Sequence, residues 1–449
     1  MSMKSSIIRR LRFLVFIFIA LILSSCGQDR DFYVAIPEDA HAVLKLDYKK
    51  LTKDLNEKSK EIILTNLYFL ENEAFNYEEP IIAVLKDDEI LVFLALNDKD
   101  EFIKNLKLKY EFKTVANSED EEIYAIKEDI FVSFTEHAAG FYINIDQNAD
   151  LFLLQECLKE EKNYLPSKYQ ATINANDQIN MWFDAEDILE DFTEEGLISN
   201  SIIRNASVRS SLNFRKAEVE LKSCLEGAET ITYALDKFIK PASNKFLKYV
   251  PSNSVIVLNV GLKNLGMLAM MWPELKKEIT KEYEFLFDII AKVNGTITLA
   301  ISETAFKDKP MPEFVMIVES DKESYTSLTQ ELYRLGAPIE KFSSYYIIDN
   351  NFYLQYKDDA IILMSEEHYF NKGHTAKVSH PQERLDRIAK GGLLLDNYLG
   401  TYLLKKSDLS KLDLEYSAIN FTGSTIDINF ILNDKDVHPL DKFLTLIEW

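Results

Sequence analysis

A chain of 449 residues with 47% apolar and 12% aromatic content can core two or three domains, which excludes an extended, disordered polymer. Its formal charge of −22 repels phosphate backbones and argues against nucleic acid as a partner. The same charge argues against a broad basic face lying on anionic lipid.

Residues 1–25 differ from everything after them. Lys4, Arg9, Arg10 and Arg12 come without an acidic residue and precede the apolar run from Phe13 to Leu23. A basic start followed by an apolar segment of about 7–15 residues is the pattern of a secretory signal peptide. The run is shorter than the ~20 residues that a membrane span needs. Leu23-Ser24-Ser25-Cys26 then resembles the lipobox of bacterial lipoproteins. The resemblance implies that the leader is cut before Cys26, that Cys26 is the lipidation site and that residues 26–31 form a short tether. Two or more acyl chains anchor stably, at ~0.8 kcal/mol per buried CH₂. The expected partner is therefore a membrane reached through lipid, and the expected location is the cell envelope as an outer-membrane lipoprotein. Asp29 and Asp31 flank Arg30, which leaves the leaflet open.

The mature chain contains a long-period repeat. Residues 32–51 read FYVAIPEDAHAVLKLDYKKL and residues 246–265 read FLKYVPSNSVIVLNVGLKNL. At one offset, Phe32, Pro37, Val43, Leu44, Lys49 and Leu51 match Phe246, Pro251, Val257, Leu258, Lys263 and Leu265. Proline and a polar turn precede a strand in each copy. Period two predicts one face bearing Leu44, Leu46 and Tyr48, or Leu258, Val260 and Leu262.

Further elements follow in the same order. A strand over Leu91–Leu96 leads into a helix capped by Asn97, and one over Phe314–Val318 leads into a helix capped by Ser320. Short strands are expected at Glu122–Lys127, Ile130–Phe134 and Gly140–Ile145, and again at Tyr345–Ile348, Phe352–Tyr356 and Ala360–Met364. Segments ending in Phe183-Asp184 and Leu395-Asp396 correspond, as do the hairpins Arg209–Leu225 and Glu415–Leu432. Surface loops are expected at Asn163–Asn176 and Asn371–Gly392. A helix over Thr230–Ile239 and a turn at Pro241–Asn244 separate module 1, residues 32–240, from module 2, residues 245–449. Strands cluster in hairpins, which predicts an α+β fold of two tandem, diverged repeats, each a mainly antiparallel sheet with packed helices.

The lipobox and the doubled segment Ile36-Pro37-Glu38-Asp39-Ala40-His41-Ala42-Val43-Leu44-Lys45-Leu46-Asp47 together resemble a family of Bacteroidota lipoproteins, domain of unknown function 4836. The second copy departs at Ser254 and Gly261. The family has no assigned activity, so the resemblance implies no catalytic residue and would extend over nearly all the mature chain.

Familiar catalytic and metal motifs are missing: no G-x-S-x-G, P-loop, G-x-G-x-x-G, H-E-x-x-H or C-x-x-C occurs. His368, His374 and His380 recur at six-residue steps, which suits neither a helix face nor a strand face, so a polar loop is the simpler reading than zinc. Asp184 and Asp396 are the one carboxylate pair that the repeat singles out, as helix caps or as a twofold acidic site. Tyr345, Tyr346, Phe352 and Tyr353, at strand spacing, read as core rather than as sugar-stacking platforms. Cys157, in an expected helix Leu151–Glu160, and Cys224, in an expected strand Ala217–Leu225, are two separate thiols or a disulfide. No catalytic residue, cofactor or metal is expected. The residues point to a non-enzymatic envelope lipoprotein that binds a protein or glycan. A polysaccharide hydrolase with paired carboxylates and a small-ligand carrier are the alternatives.

Overall fold

The computed structural model describes residues 34–66, 74–87, 89–117, 122–144, 151–158, 166–186, 205–227, 233, 237, 239–263, 295–302, 313–365, 382–396 and 413–446. The leader, Cys26 and the histidine triplet lie outside them. The chain forms two compact units, Met1–Ala228 with Asp436–Trp449, and Glu229–Lys435.

The strands of unit 1 are β1 (Ala42–Leu46), β2 (Ile81–Lys86), β3 (Glu89–Ala95), β4 (Lys113–Asn117), β5 (Glu122–Ala125), β6 (Ile130–Phe134), β7 (Ala138–Asn144), β8 (Ile179–Asp184), β9 (Ser207–Arg215) and β10 (Glu218–Glu226). Every pairing among them is antiparallel, in the spatial order β4-β5-β6-β7-β3-β2-β1-β8-β9-β10. Helices α1 (Tyr48–Thr52), α2 (Glu57–Asn66), α3 (Lys99–Lys107), α4 (Leu151–Leu158) and α5 (Ser167–Ile173) fill the connections.

Period-two alternation explains how one sheet serves two cores. Ala42, Leu44 and Leu46 of β1 join Leu51 of α1 and Phe102 and Leu106 of α3 on one face. Val43 joins Leu154 and Leu158 of α4 and Tyr169 of α5 on the other. β2 and β3 divide their side chains in the same way. Burying each such side chain contributes about 1.5–3 kcal/mol.

Unit 2 holds β11 (Ile239–Lys240), β12 (Ser254–Leu262), β13 (Thr296–Ser302), β14 (Phe314–Glu319), β15 (Ile339–Lys341), β16 (Tyr346–Ile348), β17 (Phe352–Lys357), β18 (Ala360–Met364), β19 (Gly392–Asp396), β20 (Leu414–Thr422) and β21 (Thr425–Leu432). Helices α6 (Lys322–Arg334) and α7 (Gln382–Arg387) and a 3-10 helix at Asn244–Tyr249 accompany them. The antiparallel order is β15-β16-β17-β18-β14-β13-β12-β19-β20-β21, and β11 pairs with the end of β12. Element by element, this is the order of unit 1.

Several expectations change. β1 stops at Leu46 because Asp47 accepts the Lys50 amide at 3.0 Å and caps α1, which carries Tyr48 into a helix. In β12 the better-buried positions are Val257, Asn259 and Gly261, not Leu258, Val260 and Leu262. The helix caps are Asp98 and Asp321, each one residue after the expected Asn97 and Ser320. Each aspartate is extended and accepts the amide three residues on, at 2.9 and 2.7 Å. Asn97 instead donates its side-chain amide to the Phe75 carbonyl. The stretches expected as loops contain α5 and α7, which bury Tyr169 and Leu385. Cys157, in α4, and Cys224, in β10, are not joined in a disulfide, and burial pushes the Cys157 thiol up to about 12. A last helix, α8 (Pro439–Leu446), packs with unit 1: Leu440 and Leu444 enter the same cluster as Leu44 and Leu51.

Candidate functional site

The paired aspartates occupy different units. Asp184 closes β8 and accepts the Glu186 amide at 2.9 Å, the bond of a helix-starting cap. Asp396 closes β19 and pairs with Arg384 at 3.4 Å. Arg384 also binds Glu415, which in turn pairs with Lys435, and its guanidinium lies 4.7 Å above the Tyr416 ring. Burial pushes the Glu415 carboxyl up, but Lys435 and Arg384 outweigh it and hold the group below its usual value. In unit 1, Glu220 sits between Arg215 and Lys222 at 2.8 and 2.7 Å. Asp358 binds Lys248 at 2.5 Å and the Tyr249 hydroxyl, and those hydrogen bonds bring its carboxyl down to about 2. Carboxylates set among cations in this way accept hydrogen bonds and fix geometry; a general acid needs the opposite environment.

The segment from Ile36 to Asp47 has an architectural role. The Tyr169 hydroxyl lies 3.1, 3.1 and 3.2 Å from the carbonyls of Pro37, Glu38 and Ala40, so the turn before β1 folds around it. Asp39 pairs with Lys86 at 2.9 Å. Ile36, Ala40 and Val43 enter one core and Ala42, Leu44 and Leu46 the other. The apolar residues of the motif thus meet packing demands, and its polar turn is held by Tyr169 and Lys86.

The outer end of each sheet is different in character. Lysines at 104 and 107 suit the negative end of α3. The C-cap residue is Leu108, 77% exposed, and Val115 of β4 is also exposed. Lys107 lies over the Phe112 ring at 5.4 Å and Lys127 over Tyr110 at 5.6 Å. At the same place in unit 2 the C-cap of α6 is Leu335, 51% exposed, beside exposed Tyr333, with Phe342 directly after β15. Phe342 stacks parallel to Tyr345 at 4.9 Å, and Lys341 lies over Tyr346 at 5.9 Å. Among the described residues β4 pairs only with β5 and β15 only with β16, so each is an end strand.

Sequence reasoning missed this surface because both hairpin strands, β4 and β15, are short and unpatterned. The available signal was an apolar residue placed just beyond a helix's basic last turn, twice. Of the aromatics expected as core, Tyr346 packs against the Leu328–Leu354–Ile361 cluster and Tyr353 against the one holding Val315 and Ile362. Tyr345 instead supports the exposed Phe342.

A family model described as a domain of unknown function, DUF4836, matches residues 81–376, about two thirds of the chain and less than the span that the resemblance implied. No curated protein matches. Among solved structures, crystal form III of TP0453 matches at a TM-score of 0.30 and 12% identity, over 49% of this chain and 87% of that one. Crystal form IV of the same protein gives 0.28 and 10%, over 49% and 83%. Likeness at that level supports no structural argument.

Proposed function

This chain belongs to the family of domain of unknown function 4836, and from that premise we propose an exported, lipid-anchored envelope protein whose two modules are diverged copies and serve to bind a partner rather than to catalyse. The basic leader, the apolar run and Leu23-Ser24-Ser25-Cys26 support the anchor. The common strand order, the caps Asp98 and Asp321 and the exposed C-cap leucines Leu108 and Leu335 support the duplication.

The binding role rests on one observation: large apolar side chains stand in solvent at the same place in both modules. Leu108 and Leu335 close the helix that leads into an end strand of each sheet, Val115 lies in one such strand and Phe342 directly follows the other. Apolar residues gathered at one exposed place mark interaction surfaces more often than apolar residues scattered singly. The fitting partner is another envelope protein with an apolar, polar-rimmed face.

The test is a pull-down from detergent-solubilised membranes, comparing the natural chain with Leu108→Glu, Leu335→Glu and the double variant. A partner recovered by the natural chain and lost progressively across the variants supports the reading. A partner retained by the double variant, or none recovered in repeated trials, defeats it. The anchor is tested separately by Cys26→Ala, which should leave the membrane fraction; full retention there would refute lipidation at Cys26.

A further inference from the structure

The C-terminal segment is fastened to unit 1 by a set of contacts that converge on one histidine. Val437 accepts the Ala217 amide at 2.9 Å, and Asp436 pairs with Lys216 at 2.6 Å. Asp441 of α8 accepts the Asn56 amide at 3.1 Å. Leu440 and Leu444 are buried in the cluster that holds Leu51, Leu55 and Phe214. Between these fasteners His438 is 6% exposed, its ring 6.5 Å from that of Phe214, and no side chain hydrogen-bonds to either ring nitrogen.

A neutral imidazole in this place loses its water but carries no net charge. An imidazolium would lack a solvent shell and would also sit just ahead of Pro439, against the positive end of α8. Three groups on the surrounding elements favour the proton: Asp441 on α8, Asp54 between α1 and α2, and the Phe214 carbonyl on β9. Burial outweighs them and holds His438 below the ordinary histidine value of 6.5.

We infer that His438 makes the C-terminal segment a pH-released strap on unit 1, closed while the imidazole is neutral and loosened when it takes up a proton from water. The sign follows from linkage. The released histidine binds its proton near 6.5 and the strapped one only at lower pH. The strap is therefore fully held above 6.5 and weakens as the pH falls through that value. The weakening levels off below the depressed value of the closed state. One proton changes the closing equilibrium by at most about tenfold per pH unit.

Hydrogen exchange on the full chain between pH 7.5 and 5.0, corrected for the intrinsic rate, tests this. Amide protection in Leu440–Leu446 should fall by up to about tenfold per pH unit below 6.5, while that in β3 and β7 holds. In His438→Asn, which cannot protonate here, protection should be flat with pH. His438→Leu, which fits the apolar surroundings, is the second variant and should behave alike. Asp54→Asn removes a group that favours the proton and should deepen the loss at the lowest pH. A flat profile in the natural chain, or a parallel fall in either His438 variant, overturns the inference.

Discussion

The Lys45 ammonium donates to the Ala175 carbonyl at 2.8 Å, across the gap between the middle of β1 and the turn that follows α5. At the corresponding place in β12, Asn259 donates to the carbonyls of Ile388 and Ala389, after α7, at 3.2 and 3.4 Å. Two different side chains thus tie the central strand to the end of the helix that precedes the next strand. Burial holds the Lys45 ammonium below the ordinary lysine value, so this bond operates away from bulk solvent.

Removing these ties should be costly in proportion to burial. Lys45→Met is expected to cost about 1–2 kcal/mol, because the long stem still packs while one charge-assisted bond is lost. Asn259→Leu should cost more, about 2–3 kcal/mol, since the buried Thr298 hydroxyl also loses its acceptor at 2.9 Å. Urea unfolding of each variant measures the difference. Equal costs, or none, would contradict this account.

Tyr169→Phe isolates the hydroxyl that organises the turn before β1. The ring would keep its edge-on contact with Trp182 at 4.8 Å, while three backbone carbonyls would lose a shared donor. The expected loss is about 1–2 kcal/mol. Faster exchange of the Ala40 amide, which bonds to the Pro37 carbonyl at 3.2 Å, should accompany it.

Acid should loosen the contact between Asp358 and the 3-10 helix. The folded carboxyl titrates at about 2, against a reference of 3.8. Its stabilisation is present above 3.8 and is lost as the pH falls from there toward 2. The group is about a third exposed, so solvent screening limits the effect to about 0.5–1 kcal/mol. Asp358→Asn should flatten that part of the stability–pH curve and leave neutral stability only slightly reduced. A melting series between pH 5 and pH 2.5 distinguishes the two chains.

Gly392→Ala tests the close approach of β19 to β20. A Cβ there would stand 2.3 Å from the Ile419 carbonyl oxygen, which is backbone and cannot swing aside. The strands must part locally, at about 1–3 kcal/mol. Thermal unfolding and exchange of the β20 amides report it, and an unchanged melt would mean that the sheet absorbs the methyl group.

Local chemistry made much of this protein legible in the sequence. Ile130–Phe134 and Ala360–Met364 are legible residue for residue, because alternation and flanking turns bound them on both sides. The antiparallel class followed from strands gathered in hairpins, and the helices after Leu96 and Val318 from their acidic first turns. Tertiary structure decided the remainder. The strand order, with β1 and β12 in the interior, depends on pairings between residues more than a hundred positions apart, which no local pattern records. α5 and α7 hide in polar stretches because a few residues, Tyr169 and Leu385 among them, meet a core built elsewhere. Leu108 reads as an ordinary apolar residue until the end of the sheet leaves it in solvent. His438 reads as a surface histidine before a proline until the returning segment buries it against Phe214. Composition and periodicity specify which elements form. Which side chains lose their water is a property of the assembled sheet, because burial is set by residues distant in the chain.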